Sequence, residues 1–371
     1  MFAGVYEGKK VLITGHTGFK GSWLTTWLLK LGAKVCGVSN EIPTNPSMFS
    51  ELGLDKLIDH HFCDIRDLPK LKEIVLSYEP DFVFHLAAQP IVSVSYEDPL
   101  ETISTNVLGT ANVLECLRLL ENDCVSVLIT SDKCYENVEW EWGYKETDHL
   151  GGKDIYSGSK GAAEVIIHAY QNSFFASSQN NVKLATGRAG NVIGGGDWAK
   201  DRIVVDCMTK WSKGDTVELR SPQATRPWQH VLEPLSGYMA LGAKLFLAPD
   251  DEVANLHGES FNFGPKSEQS RTVLDLMHDL SLLWDFEADF TPYSITDNIP
   301  FHEAGLLKLN CDKALFHLKW EANLNYQECV GLVSKWYYNF YNAECDMFAL
   351  TTEQIEFYEQ KSIQQTLSWS K

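Results

Sequence analysis

The 371-residue chain is 44% hydrophobic and 22% charged, ordinary globular composition that excludes extended disorder and sets a length prior of roughly two domains. Lysine and arginine number 31 against 50 acidic residues, a formal net charge of −19 with no basic run, which argues against nucleic-acid or anionic-membrane partners. Nine scattered cysteines without a Cys-x-x-Cys pair, no basic-then-apolar leader, and no apolar stretch near the ~20 residues that span a bilayer predict a cytoplasmic chain with reduced thiols and no metal.

Residues 9–15 (KKVLITG) read as a short strand, followed by Gly15-His16-Thr17-Gly18-Phe19-Lys20-Gly21 and an amphipathic helix from about residue 22 to 31. Strand, glycine loop and helix together can receive a dinucleotide. The glycines let the backbone turn tightly and approach a pyrophosphate, while the helix N-terminus offers free N–H groups. A tight βα turn with no ligand is the plainer alternative.

Residues 34–38 read as a second strand, ending at Ser39-Asn40 where an acidic residue would ordinarily hold the ribose hydroxyls of NAD. Lys20 either attracts the 2′-phosphate of NADP or meets the pyrophosphate. Asp64-Ile65 closes a third β segment, and its carboxylate either accepts from an adenine amino group or belongs to a helix start, since Asp67 stands before Pro69. Residues 82–89 (FVFHLAAQ) read as a fourth strand, where Leu86, Ala87 and Ala88 either let a nicotinamide ribose lie close or are ordinary packing. Residues 99–120, containing Thr105, read as one long helix.

The apolar run 125–129 predicts a buried strand ending in Thr130-Ser131-Asp132-Lys133, and Tyr156-Ser157-Gly158-Ser159-Lys160 opens a helix from residue 155 to about 174. Tyr156 and Lys160 are four apart and share a helical face, so the ammonium is expected to lower the phenol's pKa. A phenol tuned this way exchanges a proton with a sugar hydroxyl, which Ser131 would hydrogen-bond while the hydride leaves. Alone, Tyr-x-x-x-Lys is more often a surface helical pair; the glycine loop gives it weight.

Residues 183–186 predict another strand, leading to a glycine-rich turn from Arg188 to Trp198. Arg202, Arg220, Arg226 and Arg271 are candidates for clamping a substrate diphosphate, though each alone is more often a solvated surface arginine. Residues 226–231 and 261–265 read as edges of a smaller mixed domain, and 272–284 and 326–341 as helices. The βαβα alternation predicts an α/β fold with a doubly wound parallel sheet over residues 1–187, segments near 225–257 returning to it, and a smaller mixed α/β substrate domain over most of 188–371.

Gly15-x-x-Gly18-x-x-Gly21, Leu86-Ala87-Ala88, Ser131 and Tyr156-x-x-x-Lys160, in this order and spacing over residues 9–265, resemble the extended short-chain dehydrogenase/reductase family of Rossmann folds. GHTGFKGSWL (15–24), HLAAQP (85–90), TSDKCYEN (130–137), YSGSKGAAE (156–164), RAGNVIGGGDW (188–198), TRPWQHV (225–231) and HEAGLLKLN (302–310) are similar to the nucleotide-sugar 4,6-dehydratases within it.

The resemblance implies a redox-neutral dehydration of a nucleotide-activated hexose that supplies deoxysugars for lipopolysaccharide O-antigen. Tyr156 would take the C4 hydroxyl proton while the hydride passes to NAD, water would leave across C5 and C6, and the hydride would return to C6. A cofactor regenerated at each turnover favours tightly held NAD over NADP despite the missing carboxylate. The resemblance places NAD on Gly15, Thr17, Gly18, Phe19, Lys20, Gly21, Asp64, Ile65, Leu86, Ala87, Ala88, Thr105, Thr130, Tyr156 and Lys160. It places substrate on Gln89, Ser131, Asn191, Arg202, Arg226 and Asn262.

Dehydratases for dTDP- and GDP-sugars carry Asp-Glu where this chain has Asp132-Lys133. The expectation is that Asp132 is the acid for the departing hydroxyl and Lys133 the base for the C5 hydrogen; a salt bridge is the plainer role for Lys133. A 4-epimerase would need Ser131, Tyr156 and Lys160 but not the Asp132-Lys133 pair. A silent dinucleotide sensor would need none of this chemistry. The helices at 99–120 and from 155 would pair with their own copies in a homodimer or dimer of dimers, or be buried by the sheet.

Overall fold

The computed structural model describes residues 1–176, 180–266, 270–296 and 306–371. Seven parallel strands form the main sheet: β1 (Lys10–Thr14), β2 (Lys34–Ser39), β3 (Asp59–Phe62), β4 (Phe82–His85), β5 (Cys124–Ile129), β6 (Val182–Ala189) and β11 (Ser260–Phe263), in the order β11-β6-β5-β4-β1-β2-β3. Strands such as KVLIT, FVFH and CVSVLI are nearly continuous in apolar residues because both faces of a parallel sheet are covered. The strand order reverses between β1 and β4, which opens a crevice beyond their carboxyl ends.

On one face, α1 (Phe19–Lys30) and α6 (Leu232–Leu247) pack with α8 (Tyr326–Asn342) and α9 (Met347–Gln364) through Trp23, Trp27, Leu235, Trp336 and Ile355. On the other, α2 (Leu68–Tyr78), α3 (Gly109–Arg118) and α4 (Ile155–Tyr170) bury Ile74, Leu114, Leu117 and Ile167. The late segments also build three two-stranded pairs: β7 (Val192–Ile193) with β10 (Gln229–His230), β9 (Thr225–Pro227) with β12 (Ser270–Thr272), and β8 (Val217–Leu219) with β13 (Tyr293–Ile295). Between them run α5 (Ile203–Trp211) and α7 (Val273–Ser281). Among the described residues no helix is long and apolar enough to cross a membrane.

Four elements differ from the sequence expectation, the first being the fourth strand, which stops at His85 and leaves residues 86–89 beyond it. The third strand ends at Phe62, so Asp64 and Ile65 lie in the turn after it. The span 99–120 is not one regular helix: a short helix, Pro99–Ile103, passes through a π-helical turn at Ser104–Leu108 before α3. At the end of that turn Gly109 presses on Ile65, where a Cβ would stand 2.4 Å from Cδ1. Ser260–Phe263 is the terminal strand of the main sheet and not an edge of the smaller lobe. Phe261 and Phe263 are fully buried, and the strand pairs in parallel with β6.

Candidate active site

The glycine loop closes over the β1/β4 crevice at van der Waals limits. Gly15 has φ +78°, and a Cβ there would stand 2.7 Å from the Ala87 backbone nitrogen; one on Gly21 would stand 2.2 Å from the Gly15 carbonyl oxygen. Only hydrogens fit. Gly18 begins α1 without a side-chain cap, so the first N–H groups of the helix stay available, and this cradle fits a dinucleotide pyrophosphate. Leu86-Ala87-Ala88 lies directly against it.

Around the loop, Thr17 donates from Oγ1 to the Glu41 carbonyl at 2.7 Å, and Phe19 packs at Gly194. Burial pushes the Lys20 ammonium down to about 8; Arg202 and Lys160 lower it further, against Asp132 and Asp197. Lys20 therefore shares its field with the groups at the end of β5 and not with the end of β2, which suits a pyrophosphate better than a 2′-phosphate.

Like Thr17, the expected cofactor ligands Asp64 and Thr105 have partners of their own. Asp64 accepts from the Arg66 guanidinium, 2.6 Å at Nη2, and from the Arg66 backbone nitrogen at 2.8 Å, which holds its carboxyl below the ordinary value. Asp67 does cap α2, accepting from Lys70 N at 3.2 Å. Thr105 Oγ1 donates to Glu101 Oε1 at 3.3 Å, and Ile65 is buried under Gly109.

At the end of β5 and the start of α4 the structure brings together Ser131, Asp132, Tyr156 and Lys160, all buried. Asp154 caps α4 by accepting from Ser157 N at 2.9 Å, which fixes the turn that carries Tyr156. Ser131 Oγ donates to Asp132 Oδ1 at 3.0 Å and accepts from Lys133 N at 3.2 Å. Gly190 leaves room for the Asp132 carboxylate.

The expected lowering of the Tyr156 pKa by Lys160 is not what the electrostatics give. Burial pushes the phenol up to about 12; Arg202 and a hydrogen bond with Ser131 pull it down, while Asp132 and Asp154 push it up. Lys160 Nζ lies 5.9 Å from the phenol ring centroid, and burial pushes the ammonium itself down to about 8. Desolvation outweighs the neighbouring charge for both groups.

A cleft of about 570 Å³ opens beside this cluster. Asp132, Lys133, Asn191, Arg202, Arg220 and Arg226 line it, whereas Ser131, Tyr156 and Lys160 are buried and are not part of its wall. Among the described residues the Lys133 ammonium makes no ion pair, so the salt-bridge role has no partner there. Arg271 faces Arg226 across the β9/β12 ladder and lies over the Tyr326 ring at 5.4 Å.

Two expected substrate ligands, Asn262 and Gln89, make hydrogen bonds within the protein. Asn262 is fully buried: its amide donates to the Tyr144 carbonyl at 2.9 Å and the Asn310 carbonyl at 3.1 Å, and its Oδ1 accepts from Tyr135 Oη at 2.8 Å. Gln89 donates to Thr102 Oγ1 at 2.8 Å and accepts from Ile91 N at 2.6 Å, shaping the loop after β4. Within HEAGLLKLN, residues 302–305 lie outside the described residues.

Sequence reasoning missed Glu164 and Arg188 as a pair. Glu164 is four residues past Lys160 and eight past Tyr156, a spacing that signals the same helical face. Thr130 Oγ1 donates to Glu164 Oε1.

The sequence profile of the GDP-mannose 4,6 dehydratase family matches residues 12–332. A curated relative, the CDP-glucose 4,6-dehydratase of Salmonella typhimurium, is 45% identical over 356 residues, 95% of this chain and 97% of the relative. The CDP-paratose 2-epimerase of Salmonella typhi is 25% identical over 323 residues, 80% of this chain and 88% of the relative. In fold, the chain is similar to the dTDP-glucose 4,6-dehydratase of Streptomyces venezuelae solved with NAD and TYD bound, with TM-score 0.73 and 19% identity over 89% of this chain and 97% of that one. The chain belongs to the GDP-mannose 4,6 dehydratase family, within the extended short-chain dehydrogenase/reductases.

Proposed function

We propose that this chain dehydrates CDP-D-glucose to CDP-4-dehydro-6-deoxy-D-glucose and water, with NAD as resident cofactor. What carries the reading is the near full-length likeness to the Salmonella CDP-glucose 4,6-dehydratase, in a chain whose cleft wall holds the Asp132-Lys133 pair.

Gly15, Gly18, Lys20 and Gly21 would hold the pyrophosphate of NAD, with Leu86-Ala87-Ala88 beneath it. Bound NAD supplies a hydride acceptor at sugar C4 and a donor at C6 within one turnover, and its positively charged ring favours the phenolate. Tyr156 takes the proton of the C4 hydroxyl, which Ser131 hydrogen-bonds, and the Lys160 cation stabilises the developing phenolate. The C4 ketone acidifies the C5 hydrogen, which Lys133 removes while Asp132 protonates the departing C6 oxygen. Asn191, Arg202, Arg220 and Arg226 hold the diphosphate. Loss of water is the net change, and the product is a precursor of deoxysugars.

Free thiols on all nine cysteines support a cytoplasmic setting. The exposed apolar residues Leu100, Ile103, Leu108, Ile155 and Val165 on neighbouring helices support a homodimer. Incubation with CDP-, UDP-, dTDP- and GDP-hexoses in deuterated water tests the activity. The expected product has lost water and carries deuterium at C5; a 4-epimer of unchanged composition would overturn the dehydratase in favour of the epimerase.

A further inference from the structure

Behind the strand ends that carry Ser131 and Asp132, four segments converge on one buried ion pair. Glu164 and Arg188 side chains are 3% and 4% exposed, and the guanidinium meets the carboxylate with two nitrogens, Nε at 2.9 Å and Nη2 at 2.8 Å. The carboxylate also accepts from Thr130 Oγ1 at the end of β5 and from Ser260 Oγ at 3.2 Å on β11. Arg188 places Nη1 on Tyr135 Oη at 2.8 Å and the Glu146 carbonyl at 3.1 Å, and Nη2 also on Ser260 Oγ at 3.1 Å. Every donor of the arginine and every lone-pair direction of the carboxylate is used.

Such a pair is a poor device for stability alone, because desolvation cancels much of the attraction and a packed apolar pair does as well. Its position gives it another use. Thr130 is the residue before Ser131, and Glu164 shares the helical face of Tyr156 and Lys160. The hydrogen bond between them ties the two halves of the reaction site together.

We propose that Glu164, oriented by Arg188, is a positioning residue for the dehydration: it locks the Thr130-Ser131 strand end to the helix face that carries Tyr156 and Lys160. The inference rests on the roles assigned to Tyr156 and Lys160 above. The groups that face Lys160 are Tyr156 and Glu164 on its own helix, Cys134 from the turn after β5, His85 on β4 and Lys20 from the glycine loop. Burial opposes the ammonium and Glu164 favours it, while the Cys134 thiol, itself pushed well up by burial, stays neutral. Removal of the carboxylate leaves Arg188 as an uncompensated buried cation nearby, so Lys160 releases its proton at lower pH.

The test compares Glu164→Gln and Glu164→Asp with the full-length parent, reading kcat and KM for CDP-glucose, NAD affinity and thermal midpoint across pH. For Glu164→Gln the expected result is at least a tenfold loss of kcat above pH 8 with KM within about twofold. The alkaline limb of both kcat and NAD binding moves down by about one unit, which is a tenfold change. Glu164→Asp restores the limb but not all of the rate. The NAD limb needs no substrate, so a chain inactive on CDP-glucose that shows the shift supports this inference while refuting the substrate. An unmoved limb, or a pH-independent loss that simply tracks the thermal midpoint, overturns it. If Glu164→Gln does not fold, Thr130→Val removes the tie without stranding a charge. It should lower kcat with the limb in place, and parental kcat in that variant overturns the proposal.

Discussion

Gly190 and Asp132 are in contact: a Cβ on Gly190 would stand 2.9 Å from Asp132 Oδ2. The glycine after β6 therefore sets how far the carboxylate can turn towards β6. Gly190→Ala should rotate Asp132 off Ser131 Oγ and lower kcat for elimination by about ten- to a hundredfold, since a positioned acid contributes that much or more. NAD affinity should hold. Equilibrium binding of the cofactor beside steady-state turnover checks both halves.

The cofactor cradle makes a separate prediction. A methyl on Gly21 would stand 2.2 Å from the Gly15 carbonyl and 2.6 Å from His16 Cα, both backbone atoms that have nowhere to go. Gly21→Ala should raise the Kd for NAD more than about tenfold and lower the thermal midpoint by several degrees. The control is Gly158→Ala, whose Cβ would meet nothing within 4 Å and which should behave like the parent.

The pH profile follows from Lys160. Burial holds its ammonium at about 8, so the cation is present below that value and is lost as pH rises through it. Turnover should fall with an alkaline limb near pH 8. Tyr156, held at about 12 by burial with Arg202 pulling it down, carries its proton throughout that range in the free chain. Arg202→Ala should raise KM for the nucleotide sugar at least tenfold through the lost diphosphate contact. It should also lower kcat, because a charge that favoured the phenolate is gone. A KM change with kcat unmoved would separate Arg202 from the phenol.

Stability should depend on a group far from the chemistry. Glu233 on α6 is buried and accepts from Asn323 N at 3.0 Å, Leu324 N at 2.6 Å and Tyr358 Oη at 2.7 Å. Glu233→Ala removes the acceptor that these three donors share, leaving Tyr358 Oη only Ser236 Oγ at 2.9 Å, and should cost roughly 3–5 kcal/mol in urea unfolding. Burial raises this carboxyl from 4.5 to about 7, so between those values the unfolded chain releases the proton first and the group makes stability fall as pH rises. The alanine variant should lose that slope.

The sheet and the gathering of Ser131, Asp132, Tyr156 and Lys160 were legible because their signals are local. Glycines at 15, 18 and 21 follow a strand, and Tyr156 and Lys160 are a helical turn apart, so spacing alone sets their relation. The protein partners of Asn262 and Gln89 were not legible, for the opposite reason. A polar side chain in sequence states only that it needs partners, and those of Asn262 come from Tyr135, Tyr144 and Asn310, distant in the chain. Asp64 was read as a strand end, but β3 stops at Phe62 and the neighbouring Arg66 takes the carboxylate. The raised phenol pKa was invisible too, because spacing reports the charge of Lys160 and says nothing of the water excluded around it.

The strand Ser260–Phe263 leaves one edge of the sheet incomplete for much of the chain's synthesis. On the ribosome, β6 emerges at residues 182–189 with a row of unpaired amides, and its neighbour arrives only after residues 190–259 have been made. A nascent chain stalled in that interval would carry the sticky border that folded sheets keep covered, a natural target for chaperone capture.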